Sequence, residues 1–351
     1  MSRISPLSRV ASVFTTPLAP EDFLSLVNPL SSSRQLRGVV TAVVPETPDS
    51  ATIHFRPGRG WRAHEAGQYA RIGVEIDGVR QWRSYSLTTA GGEDPAITVT
   101  ANGAVSEALV RHTRVGDVLF LAPPQGDFVL PEHPRPLLML TAGSGLTPVM
   151  SMVRTLVRRR SDADLVLVHS SRSLEDALFR EELSALSAEH PGLTVVHWVT
   201  SERGRLDLTS TADLEATVPD WRGRAAYVCG PAAMLDAATD LWRDQQVPGQ
   251  LVVERFAPVL LEGAGGEGGL VTFETSDKEI EVDGSTSLLE AGEEAGVIMP
   301  SGCRMGICHS CVTPLLAGQV RDLRTGEVHG DEGQLIQTCV SAAAGPVHLE
   351  I

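Results

Sequence analysis

Four cysteines within the last 49 residues constrain this chain more than any other feature. Cys303, Cys308, Cys311 and Cys339 give C-x4-C-x2-C followed by a distant fourth cysteine. That spacing lets three thiolates from one tight loop, and a fourth from elsewhere, converge on the two irons of a [2Fe–2S] cluster. Gly302 and Gly306 allow the loop to curl and to point backbone N–H groups at sulfur. A zinc site with four cysteine ligands is the alternative, but such sites usually carry two short C-x2-C pairs, and only one is present. A Rieske centre needs two histidine ligands; His309, directly after Cys308, reads instead as a loop residue. A 351-residue chain with five cysteines is too long and too cysteine-poor for a disulfide scaffold. The clustering therefore reads as metal ligation in a reducing compartment.

The length predicts two or three domains. With 42% hydrophobic and 21% charged residues, the composition is that of ordinary folded protein. A formal charge of −15 argues against nucleic acid as a partner, because phosphate binding needs Lys/Arg patches. The charge is uneven: residues 270–351 hold 13 acidic and 4 basic residues, a net of −9. The longest apolar stretch, Leu137 to Val153, is interrupted by Gly143, Gly145 and Pro148. It reads as a buried strand, a turn and a helix rather than a membrane span. Residues 1–20 lack acids and weakly mimic a transit peptide, but they read as a leader, and a cytoplasmic location is expected.

Three patterns follow one another along the chain. From Leu36 to Phe128, short strands alternate with turn residues, and Asp77-Gly78 separates two apolar-rich runs as a hairpin turn would. A small antiparallel barrel is expected there. From Pro136 to Glu254, near-continuous apolar runs at 137–140, 164–168, 193–199, 225–228 and 251–253 suit parallel strands buried on both faces. Ser173–Ala188 and Pro231–Gln245 read as intervening helices, the first from the spacing of Leu174, Ala177, Leu178, Leu183 and Leu186. This predicts a doubly wound α/β domain. Pro258–Gly269, with five glycines, reads as a flexible linker. After it, Leu270–Val282 reads as a hairpin and Thr286–Ala295 as a helix. The expected division is a leader 1–35, a barrel 36–133, an α/β domain 134–257, a linker 258–269 and a cluster domain 270–351.

Two further motifs carry chemistry. Arg83-Ser-Tyr85-Ser86 ends the second hairpin strand: a cation for phosphate, a ring to stack on a flavin, and a hydroxyl near its N5. An ordinary exposed strand is the alternative. Downstream, Gly103 and Ser106 open a helix, as a pyrophosphate cradle would, and Ala122–Phe128 closes the barrel. Thr141-Ala-Gly143-Ser144-Gly145-Leu-Thr147-Pro148 follows an apolar strand and precedes a helix, so its glycines suit close approach of a dinucleotide pyrophosphate. Its G-x-G-x-x-P form departs from the G-x-G-x-x-G fingerprint. Cys229-Gly230-Pro231 follows a later strand, where a buried structural cysteine is the alternative reading. Beyond the strand ending at His169, Ser171, Arg172 and Arg180 offer hydroxyls and guanidinium without an acid at the strand end, which suits a 2′-phosphate and favours NADPH over NADH. A solvated helix start is the alternative there.

The cysteine segment 301–311 with Gln337–Val340 resembles plant-type ferredoxins, which implies a β-grasp fold. The order of the barrel and α/β motifs resembles the ferredoxin–NADP reductase superfamily. That resemblance implies that Arg83, Tyr85, Ser86, Gly103 and Ser106 bind FAD, that Thr141–Pro148 with Gly230 and Pro231 hold the nicotinamide cofactor, and that Ser86, Cys229 and Phe256 line the reacting rings. Thr100 and Ala101 stand where family members often have a basic residue. A nicotinamide delivers two electrons as hydride and a [2Fe–2S] cluster takes one at a time, so a flavin belongs between them. Residues 20–30 and 37–47 resemble the actinobacterial NADPH oxidoreductases that serve membrane acyl-CoA desaturases. This implies a membrane-bound di-iron partner, with an alkane, steroid or aromatic-ring oxygenase, or a redox sensor without turnover, as alternatives. The cluster itself adds about −2 to the acidic domain, which predicts docking on a basic partner face.

Overall fold

The computed structural model describes residues 28–32, 35–76, 78–133, 135–159, 163–247, 251–256, 266–302, 304, 306 and 309–351. The leader 1–27, Asp77 of the hairpin turn and residues 257–265 of the glycine-rich stretch lie outside them, as do Cys303 and Cys308. The chain divides into two compact units, one holding most residues up to Glu254 and the other holding Gln81–Ser84 and Arg255–Ile351.

The first sheet along the chain is six-stranded and antiparallel and, apart from Gln81–Ser84, belongs to the first unit. Its strands are β1 (Arg37–Thr47), β2 (Ser50–Pro57), β3 (Tyr69–Ile76), β4 (Val79–Ser86), β5 (Ala96–Thr100) and β6 (Val118–Leu121), in the order β4-β3-β6-β1-β2-β5. A bridge between Leu87, just past β4, and Ile97 of β5 joins the two edge strands and closes the sheet as the expected barrel. Alternation puts Val40, Ile53, Phe55, Ile72, Ile97, Leu119 and Leu121 inside. Helix α1 (Ala104–His112) adds Val105 and Leu109, one helical turn apart, to that core.

The same unit continues into a five-stranded parallel sheet. Strands β7 (Leu137–Ala142), β8 (Leu165–Ser171), β9 (Leu193–Val199), β10 (Ala225–Cys229) and β11 (Leu251–Glu254) lie in the order β11-β10-β7-β8-β9. The apolar runs have the reason expected for them: both faces of β7 are covered. Leu137 and Met139 join the core formed with helix α2 (Leu146–Arg159). Leu138 and Leu140 join a second core on the other face, with Trp221, Leu235 and Trp242.

The remaining helices are α3 (Arg180–Glu189), α4 (Thr200–Arg203), α5 (Ala212–Thr217) and α6 (Ala232–Asp244). Helix α6 is the expected 231–245 helix, but the expected helix over 173–188 is corrected. Residues 173–179 are turns, and α3 starts only at Arg180. Phe179 takes a left-handed conformation, φ 53°, which ends any helix approaching from the N-terminal side. Ser173 and Asp176 bond each other in a local turn, and Leu174 is exposed while Ala177, Leu178 and Phe179 are buried.

The second unit holds the expected hairpin, β12 (Gly269–Phe273) and β13 (Lys278–Val282), then helix α7 (Leu288–Glu294). Ser287 and Glu290 form a reciprocal capping box that fixes where α7 begins. Strands β14 (Val312–Asp322), β15 (Val328–His329), β16 (Leu335–Gln337) and β17 (Ser341–Leu349) complete a mixed sheet, β13-β12-β17-β14-β15, with β16 on β14. Strand β12 pairs parallel with β17, Val271 opposite Val347. Gly268 already bridges to Ala344, so ordered structure reaches into the end of the stretch read as linker.

Candidate functional site

The nicotinamide motif is built where two strands end side by side. In the parallel register Thr141 of β7 lies opposite Cys229 of β10. Beyond Thr141 the chain makes a single 3-10 turn, Gly143–Gly145, and enters α2. Gly143 has φ +53°, and a Cβ on Gly145 would lie 2.1 Å from the Cys229 carbonyl oxygen and 2.9 Å from the Gly230 nitrogen. Only a residue without a side chain lets the two loops meet. Thr147 donates to the Ser144 carbonyl at 2.8 Å and tightens the turn. Thr141, Gly143, Ser144, Gly145, Thr147, Pro148, Cys229, Gly230 and Pro231, far apart in sequence, thus form one contiguous rim at the carboxyl ends of β7 and β10, where open α/β sheets bind ligands.

Beside this rim lies a cavity of about 540 Å³ lined by Gly143, Ser170, Ser171, Arg172, Arg205, Asp207, Thr209 and Pro231, among others. Ser170 Oγ is buried without a hydrogen-bond partner among the described residues. A cavity with an unmet hydroxyl, two guanidinium groups and a glycine turn fits the phosphate-bearing end of a dinucleotide. Arg180, expected here, does not line the cavity; it stands at the start of α3, close to Glu181, and adds its charge to the burial that lowers the pKa of His197. Arg205, Asp207 and Thr209 were not foreseen. They sit in a loop between α4 and α5 with no motif, and only the strand order brings them to Ser171. Asp207 accepts from the Thr209 hydroxyl and N–H and from Ser210, which hold its carboxyl below the usual range.

Two buried groups surround the rim. His169 on β8 is fully buried, hydrogen-bonded through Nδ1 to Thr141 Oγ at 2.9 Å. Burial pushes its pKa down to about 3, so the imidazole is neutral at pH 7. Cys229 is 1% exposed, and burial, with Glu254 beside it, raises its thiol well above the usual value. It is therefore an uncharged, compact wall. Glu254, opposite Cys229 in register, is pushed up to about 7 by burial and by Asp127.

Of the flavin motif, Arg83, Tyr85 and Ser86 lie on β4. Ser86 is buried and Tyr85 packs against the barrel core, while Arg83 donates to the Trp82 carbonyl at 2.8 Å. Ser84 Oγ is buried without a partner among the described residues. Among the described residues no side chain caps α1, so N–H groups of its first turn can meet a phosphate. Gly103 leads into α1, and Ser106 Oγ lies 2.9 Å from the Gly103 carbonyl and 3.0 Å from Asn102 Oδ1, ordering that loop. These features fit FAD. Phe256, just past β11, is 43% exposed.

In the second unit, Cys311 and Cys339 are buried with sulfurs 3.2 Å apart. That is far beyond the 2.03–2.05 Å of a disulfide and suits two thiolates on one metal. Arg304, Gly306 and His309 all have positive φ, at 57°, 73° and 54°. Positive φ values of this kind occur in the backbone nests that bind anions and iron–sulfur sites. Gln337 Nε2 and Arg324 donate to the Gly306 carbonyl at 2.8 and 3.3 Å and pin the loop. The residues present fit a [2Fe–2S] cluster.

A barrel bearing a flavin motif, a parallel sheet bearing a dinucleotide rim and a mixed-sheet domain bearing the C-x4-C-x2-C segment and a fourth cysteine define a pyridine-nucleotide reductase with a built-in iron–sulfur module. Family models for an oxidoreductase NAD-binding domain and for a 2Fe-2S iron-sulfur cluster binding domain match residues 139–240 and 271–344. The NADPH oxidoreductase of Mycobacterium tuberculosis (H37Rv) is 48% identical, covering 98% of this chain and 92% of the relative. The ferredoxin reductase component of 3-ketosteroid-9-alpha-monooxygenase from Mycolicibacterium smegmatis is 30% identical over 80% of this chain and 86% of its own. The solved structure of phthalate dioxygenase reductase matches with a TM-score of 0.63 and 24% identity, over 90% of this chain and 97% of that one, and shows the same fold. The chain belongs to the ferredoxin–NADP reductase superfamily, in its branch with a C-terminal [2Fe–2S] domain. It is an NAD(P)H oxidoreductase with FAD and a [2Fe–2S] cluster as its cofactors.

Proposed function

We propose that the chain carries electrons from NADPH, through its FAD and [2Fe–2S] modules, to a membrane-bound di-iron fatty-acyl desaturase. Likeness along nearly the whole chain carries this reading: the 48% identity to a mycobacterial NADPH oxidoreductase spans the segments 20–30 and 37–47 as well as the redox domains. We divide the chain for this purpose as leader 1–35, FAD domain 36–133, NAD(P) domain 134–257, linker 258–269 and cluster domain 270–351.

When bound, the cofactors supply the exchange between a two-electron hydride and single electrons. The chain's own residues bind and orient. Gly143–Gly145, Thr147 and Pro148 receive the pyrophosphate, and Ser171, Arg172 and Arg205 receive a 2′-phosphate. Cys229 walls the nicotinamide; Ser86 and Tyr85 hold the flavin edge, with Arg83 on its phosphates. By the family resemblance Phe256 belongs among the residues near the reacting rings, and Cys303, Cys308, Cys311 and Cys339 hold the irons. Asp207 supports NADH as a second reading, because a carboxylate in this position can accept from a ribose 2′-OH. Replacing Arg172 and Arg205 by Gln separates the two: a fall in NADPH affinity with NADH unchanged supports the 2′-phosphate assignment.

A second partner reading, the reductase component of an oxygenase, is supported by the steroid-monooxygenase relative. No helix among the described residues is long and apolar enough to cross a membrane; membrane association would come through the partner. Reconstitution of purified protein with NADPH and either a desaturase in vesicles or a soluble oxygenase tests this. Coupled product from the oxygenase alone would overturn the desaturase assignment. Turnover that weakens with salt is expected from the acidic cluster domain.

A further inference from the structure

Helix α2 starts at the dinucleotide turn and runs for 14 residues, about 21 Å at 1.5 Å per residue. Four of its polar side chains fall at i, i+3, i+4 and i+7: Ser151, Arg154, Thr155 and Arg158. That spacing is one face of one helix. All four reach the same target, the segment 87–95 that continues directly from the flavin motif at Ser86. Ser151 Oγ donates to the Thr89 carbonyl at 2.5 Å, and Arg154 donates to the Thr88 carbonyl at 2.6 Å. Gly91 N–H donates to Thr155 Oγ at 2.9 Å, and Arg158 pairs with Glu93. Leu87, Thr88, Thr89 and Ala90 are buried, so these backbone groups would lose hydrogen bonds without water to replace them.

Arg154 is itself braced. Glu182 on α3 grips its guanidinium through two bonds, 2.8 and 2.6 Å, and the Phe179 ring lies beneath it at 5.0 Å. Such a fork holds one orientation. The helix that presents the nicotinamide turn and the segment that trails the flavin strand are therefore tied by a ladder of directional bonds rather than by apolar packing alone. Directional bonds resist sliding of the helix against that segment.

We infer that Ser151, Arg154, Thr155 and Arg158 are positioning residues for hydride transfer, a polar stripe that sets where the nicotinamide lands on the flavin. This rests on the reading that the nicotinamide bound at Gly143–Gly145 reacts with a flavin held at Arg83–Ser86. The stripe contributes little to holding the cofactors and much to their alignment.

The test is anaerobic single-turnover mixing of the full-length holoenzyme with NADPH and with NADPH deuterated at C4. Arg154→Met, Arg154→Lys and the double variant Ser151→Ala/Thr155→Val are compared with the parent. Flavin reduction is expected to slow about ten- to a hundredfold in Arg154→Met and in the double variant, with the Kd for NADP+ within about twofold of the parent. The deuterium isotope effect should be retained or larger, and Arg154→Lys should recover part of the rate. Flavin reduction at the parental rate in these variants would overturn the inference, as would a rate and an affinity that fall in proportion. If Arg154→Met does not fold, the double variant, which removes two hydroxyls and keeps the apolar packing, decides. Failure of NADPH to bleach the flavin in the parent would instead sink the nicotinamide-to-flavin reading.

Discussion

Replacing Gly145 by Ala would insert one methyl group at the point where the two halves of the nicotinamide rim touch. Its Cβ would lie 2.1 Å from the Cys229 carbonyl oxygen, 2.5 Å from that carbonyl carbon and 2.9 Å from the Gly230 nitrogen. All three are backbone atoms of a strand end and its loop, so no rotamer can relieve the clash. A carbon and an oxygen need about 3.2 Å, so the α2 turn must retreat from β10 by about 1 Å. Overpacking of this kind costs about 1–3 kcal/mol, and the thermal midpoint of the nucleotide unit should fall by several degrees at about 2–4 °C per kcal/mol. The larger effect is on chemistry, because a misplacement of about 1 Å can cost about a hundredfold in rate. The assay is flavin bleaching by NADPH in a stopped-flow instrument, alongside a thermal melt. Gly143→Ala is the internal control: nothing lies within 4 Å of its added Cβ, but its φ of +53° is retained only at a cost of about 1–2 kcal/mol. It should lower the melting temperature with a smaller loss of rate. If Gly145→Ala melts with the parent and bleaches flavin at the parental rate, the close approach of the two loops is not what assembles the site.

Two other outcomes follow from the same geometry. Glu254 is protonated more readily in the fold, near pH 7, than in the unfolded chain, so the folded state is penalised progressively as pH rises from about 4.5 to 7. Glu254→Gln should therefore be more stable than the parent at pH 8, by up to about 3 kcal/mol, with the gap closing toward pH 5. Denaturant titrations at both values check this, and an equal gap at both would refute it. Cys339→Ser should abolish the iron–sulfur absorbance and the electron paramagnetic resonance of the reduced cluster, while NADPH still bleaches the flavin. Loss of both would show that the modules do not fold separately.

The parts of this molecule most legible in its sequence are those where burial acts on every residue. The runs at 137–140 and 225–228 are apolar because both faces of those strands are covered, so composition alone marks them. The segment 173–179 shows the opposite case. Leu174, Ala177 and Leu178 are spaced as on a helix, yet Ala177, Leu178 and Phe179 are buried as a loop and Phe179 turns left-handed. Periodicity cannot tell a buried loop from a buried helix face when the breaking residue is a phenylalanine. At the site, the glycine turn and the cysteine spacing were readable because a cofactor imposes them locally. Arg205 and Asp207 were not, since they meet Ser171 only through the strand order. The Thr141–His169 bond is hidden for the same reason, because it needs β7 and β8 to be neighbours.

The parallel pairing of β12 with β17 bears on how the protein is made. Strand β12 precedes all four cluster cysteines in the chain and β17 follows them, and the two are adjacent in the sheet, Val271 beside Val347 and Phe273 beside Leu349. During synthesis the loop cysteines therefore leave the ribosome before the strand that completes the sheet exists. The barrel and the parallel sheet, complete by Glu254, are free to fold earlier, as N-terminal units do. Iron and sulfide can thus be delivered before β17 arrives to complete the sheet. The sheet topology thus makes the cluster domain the last part of the molecule whose sheet can be completed, after all strands of the barrel and the parallel sheet have been made.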